Sequence, residues 1–308
     1  MESLLRWSIE NTDVSSPEHT ASLQTAAHSR MQNLDPGLID AILGKPDAVK
    51  MKESMALASD TGRTVSERLQ ALDDLELLVE SIDNANDLAK LALWQPLMSL
   101  MREGNDELQQ AALWVAGTAV QNNPQAQADF LALDPIPLLL QVLGSREAGK
   151  QTRSRAVYAL SGSVNHNADA VARMAQAGGW QVLREALTAD PDITVRRKVA
   201  FLLNTLLLLD GPSPSNLTSS ESSAAPHPRA QKEFSTLTTG GHTRTALQQS
   251  GIISALIRGV HPTTAPAHGA DGDERGDVDF QEKAGRALMT YLEGTEGEPW
   301  TAEQKREL

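Results

Sequence analysis

The sequence predicts an all-α protein built of stacked helical repeats, an armadillo-like or HEAT-like superhelix, and three observations carry that prediction. Helical stretches recur at a nearly fixed interval: "ALDDLELLVESI" from Ala71, "ALWVAGTAVQNN" from Ala112, "AVYALSGSVNHN" from Ala156 and "VAFLLNTLLLLD" from Val199 begin 41, 44 and 43 residues apart. Apolar segments recur between and beyond them, "DPIPLLLQVL" from Asp134, "GGWQVLREAL" from Gly178 and "GIISALIRGV" from Gly251. The apolar–polar alternation of a half-buried strand is scarce. A two- or three-helix unit with a period in the low forties cannot bury its apolar face alone and stacks on its neighbours instead.

Taken in order, the chain opens on "SLLRWSIENT", a short apolar segment that runs into a polar, Ser/Thr-rich stretch; residues 1–34 are expected to be that segment plus a flexible linker. Residues 35–308 are expected to form the repeat domain. The third downstream segment arrives 73 residues after the second, and the excess lies in "GPSPSNLTSSESSAAPHPRAQKEFSTLTTGG". Its Ser, Pro, Thr and Gly content offers too little apolar surface to offset ordering, so a flexible insertion is expected at about 210–242. A second, "HPTTAPAHGADGDERGDVD", is expected at 261–279.

The chain of 308 residues carries 40 acidic and 27 basic residues, a formal charge of −13. Phosphate contacts need clustered Lys and Arg, so the balance disfavours nucleic acid and anionic membrane surfaces alike. With no cysteine there is neither a disulfide framework nor thiolate chemistry, which suits the cytosol. No stretch approaches the 18 or so apolar residues of a membrane span. The acidic second residue and short apolar core of the N-terminus do not read as a secretory signal, so the closing "KREL" carries no retrieval argument.

No catalytic constellation stands out. The seven histidines form no i,i+4 zinc pair, and neither "GG" pair has the spacing of a phosphate loop. Asp73-Asp74 and Glu76-Glu80 are expected to be a solvated helix face rather than an acid/base pair. "VRRK", from Val195 to Lys198, reads as a basic patch on a helix surface or as a meeting point for an acidic partner. No cofactor and no metal are expected.

The aromatic residues are more informative. On a wheel of about 100° per residue starting at Ala112, the residues Val115, Ala116, Ala119 and Val120 share one apolar arc with it, while Trp114 falls on the far side with Thr118 and Gln121. One unit on, Tyr158 takes the same slot, with Asn165 near it; one further, Phe201 does; in the first unit the slot holds Asp73. Only 11 residues of the chain are aromatic, so three in register are unlike chance. Two readings stand for Trp114 and Tyr158: rings packed against the next repeat, or anchors on an open binding surface. Phe201, inside a very apolar run, is expected to be core. Asn84, Asn86, Gln121, Asn122 and Asn165 supply uncharged hydrogen-bonding groups nearby, though Asn84 and Asn86 suit helix or turn caps equally.

At these residues the sequence resembles a family. "ESIDNANDLAKLALWQPL" (Glu80 to Leu97), "AALWVAGTAVQNNPQAQ" (Ala111 to Gln127), the opening "SLLRWSIENT" and "DPGLIDAILGKPDAVKMKESM" (Asp35 to Met55) are similar to stretches of the fungal Fes-type nucleotide exchange factors of the 70-kDa heat-shock chaperones. The resemblance covers residues 1–13 and 35 to about 205, and is weaker through "ALQQSGIISALIRGV". It implies a curved armadillo-like domain that grips the chaperone's ATPase domain, drives out ADP and so lets client go, working as a monomer without cofactor. It implies contacts from the concave face, where Ala85 and Lys198 match, and a flexible N-terminal segment, here Leu4, Leu5, Trp7 and Ile9, that helps displace client. That segment could instead be an amphipathic helix docked on the first repeat. The two insertions depart from the family pattern. The other class to weigh is an armadillo adaptor holding a peptide cargo in its groove. Such adaptors pair each Trp with an Asn one turn on, where this chain has Thr118, Gly162 and Thr205.

Overall fold

The computed structural model describes residues 45–210, 241–260, 277–295 and 299–307. The chain divides into two compact units, 1–49 and 50–308; of the first, the described residues 45–49 hold the start of one helix. Leu4, Leu5, Trp7 and Ile9 lie outside the described residues, as does most of both insertions.

Every regular element among the described residues is a helix. Helix α1 (Asp47–Ser59) and helix α2 (Val65–Val79) open the array. Four triplets follow, each with a short, a middle and a long helix. They are α3 (Ile82–Lys90), α4 (Trp94–Leu100) and α5 (Asp106–Val120), then α6 (Pro124–Leu131), α7 (Ile136–Gly144) and α8 (Lys150–Val164). The third has α9 (Ala168–Gln176), α10 (Gly179–Ala189) and α11 (Ile193–Leu208). The fourth has α12 (Thr243–Gln249), α13 (Ile252–Val260) and α14 (Val278–Glu293), and a single helical turn, α15 (Gln304–Glu307), follows. The long helices α2, α5, α8, α11 and α14 pack successively side by side; α7, α10 and α13 form a second row behind them. Between the rows runs the aliphatic core, among it Leu113, Leu139, Leu160, Leu183, Leu203 and Leu256.

The helix starts follow local chemistry. Thr64 and Glu67 form a reciprocal capping box on α2. The side chains of Asn105, Asn123, Asn167, Asp192 and Asp277 each accept a backbone N–H of the first turn they precede. Corners between helices use left-handed backbone at matching places: Ala92, Asp134, Gly178 and Gly251 before or at the middle helices, and Asn122 and His166 after α5 and α8. Glycine, asparagine and aspartate tolerate that conformation at lower cost than other residues; Ala92, which is exposed, is held there by corner hydrogen bonds, its N–H to Ala89 O and the N–H of Leu93 to Leu88 O.

A polar clip repeats with the array. The fourth residue of α2, α5, α8 and α11 reaches back to a carbonyl at the end of the helix before it or in the loop that follows that helix: Arg68 Nε to Ala58 O (2.7 Å), Gln109 Nε2 to Met101 O (2.8 Å), Arg153 Nη1 to Ala148 O (2.5 Å) and Arg196 Nε to Asp190 O (2.5 Å). Carbonyls at helix ends have no partner within their own helix, so the clip satisfies groups whose burial would otherwise be costly. Two of the arginines are also neutralised: Arg68 lies fork to fork on Glu103 at 2.7–2.8 Å, and Arg153 on Asp190 at 2.7 and 3.0 Å.

Both insertions fall in the fourth triplet, before α12 and between α13 and α14, yet α14 stacks in register on α11. Arg197 pairs with Asp277, Thr290 Oγ1 donates to Asn204 Oδ1 at 2.8 Å, and Asp210 accepts the N–H groups of Thr243 and Arg244. Loop-closure entropy grows only slowly with loop length, so long excursions leave the stack intact. The second excursion is shorter than composition suggests: Asp277 caps α14 and Val278 and Asp279 are helical.

Candidate functional site

The face of the long-helix row that carries Trp114 is built from equivalent positions. Position nine of α2, α5, α8 and α11 holds Asp73, Trp114, Tyr158 and Phe201 in turn, and position six holds Gln70, Ala111, Arg155 and Lys198. All lie off the buried arc; Trp114 is 36 % exposed and Phe201 55 %, while Tyr158 is half-buried. Phe201 is therefore not core, against the expectation. The apolar run around it fills the seams with Val199, Leu202, Leu203, Leu206 and Leu207, which leaves position nine, and Leu208 two turns on, pointing to solvent.

Trp114 is pinned from two sides. Its Nε1 donates to Glu76 Oε1 at 2.6 Å, and Thr118 Oγ1 donates to the same oxygen at 2.8 Å. The Arg155 guanidinium lies over the face of the indole. A tryptophan immobilised before it meets a partner loses little further freedom on binding. Glu76, expected to be merely solvated, instead fixes the ring. Next to it, Asp73 is exposed, and partial burial together with Asp74 and Glu76 raises its carboxyl above the usual range. Asp73, Glu76 and Glu107 share with Leu69, Leu77 and Trp114 a groove of about 610 Å³ between α2 and α5.

Tyr158 packs directly on Gly117 of the neighbouring helix; a Cβ there would stand 2.5 Å from Tyr158 Cδ1 and 3.3 Å from the Ala159 backbone. Gly117→Ala is accordingly expected to lower stability by about 1–3 kcal/mol, the range for overpacking a filled seam, read from the denaturant midpoint; an unchanged midpoint would show that the ring moves aside freely. Gln121 Nε2 donates to Gly117 O at 3.1 Å and reaches Tyr158 O, and Asn165 Nδ2 donates to Asn122 Oδ1 at 3.3 Å. The expected polar residues just past α5 and α8 thus tie adjacent repeats together.

The other expected contacts divide. Asn84 Nδ2 donates to Leu78 O at 2.9 Å, the turn-stabilising alternative. Asn86 is half-buried, its Oδ1 without a hydrogen-bond partner among the described residues. Ala85 is 1 % exposed. Its methyl group belongs to the core, so it offers a partner no surface; α3 is amphipathic, and Ala85 and Leu88 lie on its inner side. The "VRRK" patch is not a patch either. Arg196 is buried in the repeating clip, Arg197 is taken by Asp277, and only Lys198 turns to the Trp114 face, half-buried. Burial first, and then the charge of Arg155, hold the Lys198 amine below its ordinary range.

Sequence reasoning passes over Arg155. The signal is present: it precedes Tyr158 by three residues and Lys198 by 43, one repeat.

Repeating three-helix units, stacked in two rows, with pinned rings and polar groups left open along one row, define an armadillo-type helical-repeat protein. Among solved structures, the armadillo-repeats-only protein ARO of Plasmodium falciparum aligns with a TM-score of 0.53 at 11% identity, covering 80% of this chain and 98% of that one. A designed armadillo repeat protein in complex with the peptide (KR)4 aligns with a TM-score of 0.50 at 14% identity, covering 80% and 100%. Both speak for the fold alone. The sequence places the chain more narrowly. Residues 1–88 match the family "Nucleotide exchange factor Fes1" and residues 84–237 the "SIL1/FES1/HPBP1 C-terminal domain". The Hsp70 nucleotide exchange factor FES1 of Mycosarcoma maydis is 36% identical, covering 94% of this chain and 82% of its own. That of Cryptococcus neoformans var. neoformans is 33% identical, covering 85% and 67%. The chain belongs to the Fes1 family of nucleotide exchange factors.

Proposed function

We propose that this chain is a nucleotide exchange co-chaperone that binds the ATPase domain of a cytosolic 70-kDa heat-shock chaperone as a monomer and promotes release of ADP and then of client. The observation that carries the reading is the 36% identity, along 94% of the chain, to an Hsp70 nucleotide exchange factor. The open, pre-fixed face around Trp114 supports it.

The mechanism needs no covalent step. The face must bind the chaperone better with its nucleotide pocket open than closed; a partner with equal affinity for both states would shift nothing. Linkage makes the effect reciprocal, so whatever favours the factor on the empty chaperone weakens ADP on the bound one. A hundredfold weakening asks for about 2.7 kcal/mol of differential binding, within reach of one or two anchors of the Trp or Arg kind. Trp114, Tyr158, Gln121, Asn122, Asn165 and Lys198, with Thr118 holding the ring's partner, are the residues assigned to that contact.

Mixing the protein with chaperone loaded with a fluorescent ADP should accelerate ADP loss severalfold or more; an unchanged release rate ends the reading. Leu4, Leu5, Trp7 and Ile9 are assigned to client displacement. Removing residues 1–12 should therefore spare the acceleration of ADP release and slow the loss of a bound client peptide, and loss of exchange itself would instead speak for a segment docked on the first repeat.

A further inference from the structure

On the Trp114 face two cations have no paired carboxylate among the described residues. Arg155 and Lys198 occupy position six of the adjacent helices α8 and α11, both half-buried, and neither makes an ion pair with a carboxylate among the described residues. Arg155 Nε is buried with no hydrogen-bond partner among the described residues. Other cations of the same row are neutralised: Arg197 by Asp277, Lys283 by Asp279 and Arg286 by Glu282. The two are close enough for one to act on the other, since Arg155's charge adds to burial in depressing the Lys198 amine. Burial likewise opposes the Arg155 charge, with Tyr158 and Glu76 pulling the other way. Glu76, whose Oε1 already accepts from Trp114 and Thr118, does not pair with Arg155. Holding two like charges side by side, partly desolvated, is unfavourable for the free protein and becomes favourable when an anion completes the set.

We infer that Arg155 and Lys198 form a receptor for one carboxylate of the chaperone, an Asp or Glu side chain that seats between them beside the rings of Tyr158 and Phe201. The inference rests on the chaperone reading above and names the chemistry of the contact. A carboxylate fits better than a phosphate. The face offers two side-chain cations at position six of adjacent helices, with Tyr158 and Phe201 at position nine of the same helices, and the negative charge of Glu76 reaches Arg155 from the α2 side. That field tolerates a single negative charge more readily than two. A carboxylate also matches the guanidinium fork.

The test uses the full chain and the nucleotide-loaded chaperone, with Arg155→Met and Lys198→Met keeping the apolar stems and removing the charges. Each should weaken binding about tenfold or more, as for loss of one member of a desolvated charge pair. The double variant should lose less than the product of the two, because both cations act on one acid. The fall of affinity between low and high salt should be shallower in both variants, and Arg155→Lys should recover part of the loss. The thermal midpoint of Lys198→Met should hold or rise, since one of two repelling charges is gone, and that of Arg155→Met, which also gives up the contact with Trp114, should stay close to the parent's. Arg286→Met, on α14 and away from both cations, should bind like the parent chain. Equal affinity of the parent and both Met variants overturns the receptor while leaving the exchange function standing. Losses that multiply independently and come with lowered midpoints overturn it in favour of a structural role. Inorganic phosphate binding the free protein below millimolar concentration, and not Arg155→Met, overturns the carboxylate in favour of a phosphate. No binding of the parent chain to the chaperone overturns the functional reading itself.

Discussion

Trp114→Ala is expected to weaken chaperone binding about 30-fold or more, roughly the 2 kcal/mol that marks a dominant interface anchor. Three things go with the ring. Its exposed part is contact area for the partner. Its Nε1 bond to Glu76 disappears, so that carboxylate, left with Thr118 alone, is free to swing. And the Arg155 guanidinium loses the surface that holds it in place. The fold should survive, because the residue is more than a third exposed and lies off the seam: about 1 kcal/mol of stability is the expected cost. Titration of the chaperone and the rate of ADP release measure the first effect, and calorimetry the second. Glu76→Gln separates contact from rigidity, since it keeps the ring and weakens what holds it; an intermediate loss is expected. Parent-like affinity of Trp114→Ala would remove this face from the binding surface.

Asp190→Ala should have the largest effect on stability, about 3–5 kcal/mol, the usual cost of stranding a buried ion. The Asp190 side chain is 4 % exposed and that of Arg153 7 %. The carboxylate takes both arms of the guanidinium and also the N–H of Asp192 at the start of α11. Removing it leaves a buried guanidinium with one carbonyl partner, Ala148 O. Loss of one partner is worse than loss of both, so Arg153→Met with Asp190→Leu should regain most of the deficit as apolar groups fill the space. Urea midpoints of the three variants decide this. A double variant no better than Asp190→Ala would mean that the cost lies in the loop before α11 rather than in the charge.

Much of this is legible in the chain. The intervals of 41, 44 and 43 residues mark four of the long helices that form the front row, because a 3.6-residue period repeated at a fixed offset points to stacked helices and to little else. The position-nine slot is legible for the same reason, and Trp114 does stand off the buried arc. Less legible are the residues whose meaning depends on a neighbour. Ala85 looks like surface by family resemblance and is core; Phe201 looks like core by its apolar company and is surface. Arg196, Arg197 and Lys198 read as one patch in sequence and have three different fates in space.

What the sequence determined by itself was therefore the all-helical class, the repeat length, the direction in which each side chain leaves its own helix, and membership in the family. Those depend on local periodicity and on extended similarity, both of which are written along one dimension. Only the tertiary structure decided which outward-facing groups meet. That Glu76 holds Trp114, that Gly117 makes room for Tyr158 and that Arg155 lies over Trp114 are contacts between helices some forty residues apart. A helical wheel sets an angle about one axis, whereas a contact also needs the distance and rotation of the next axis, and these follow from how the seams between helices fill.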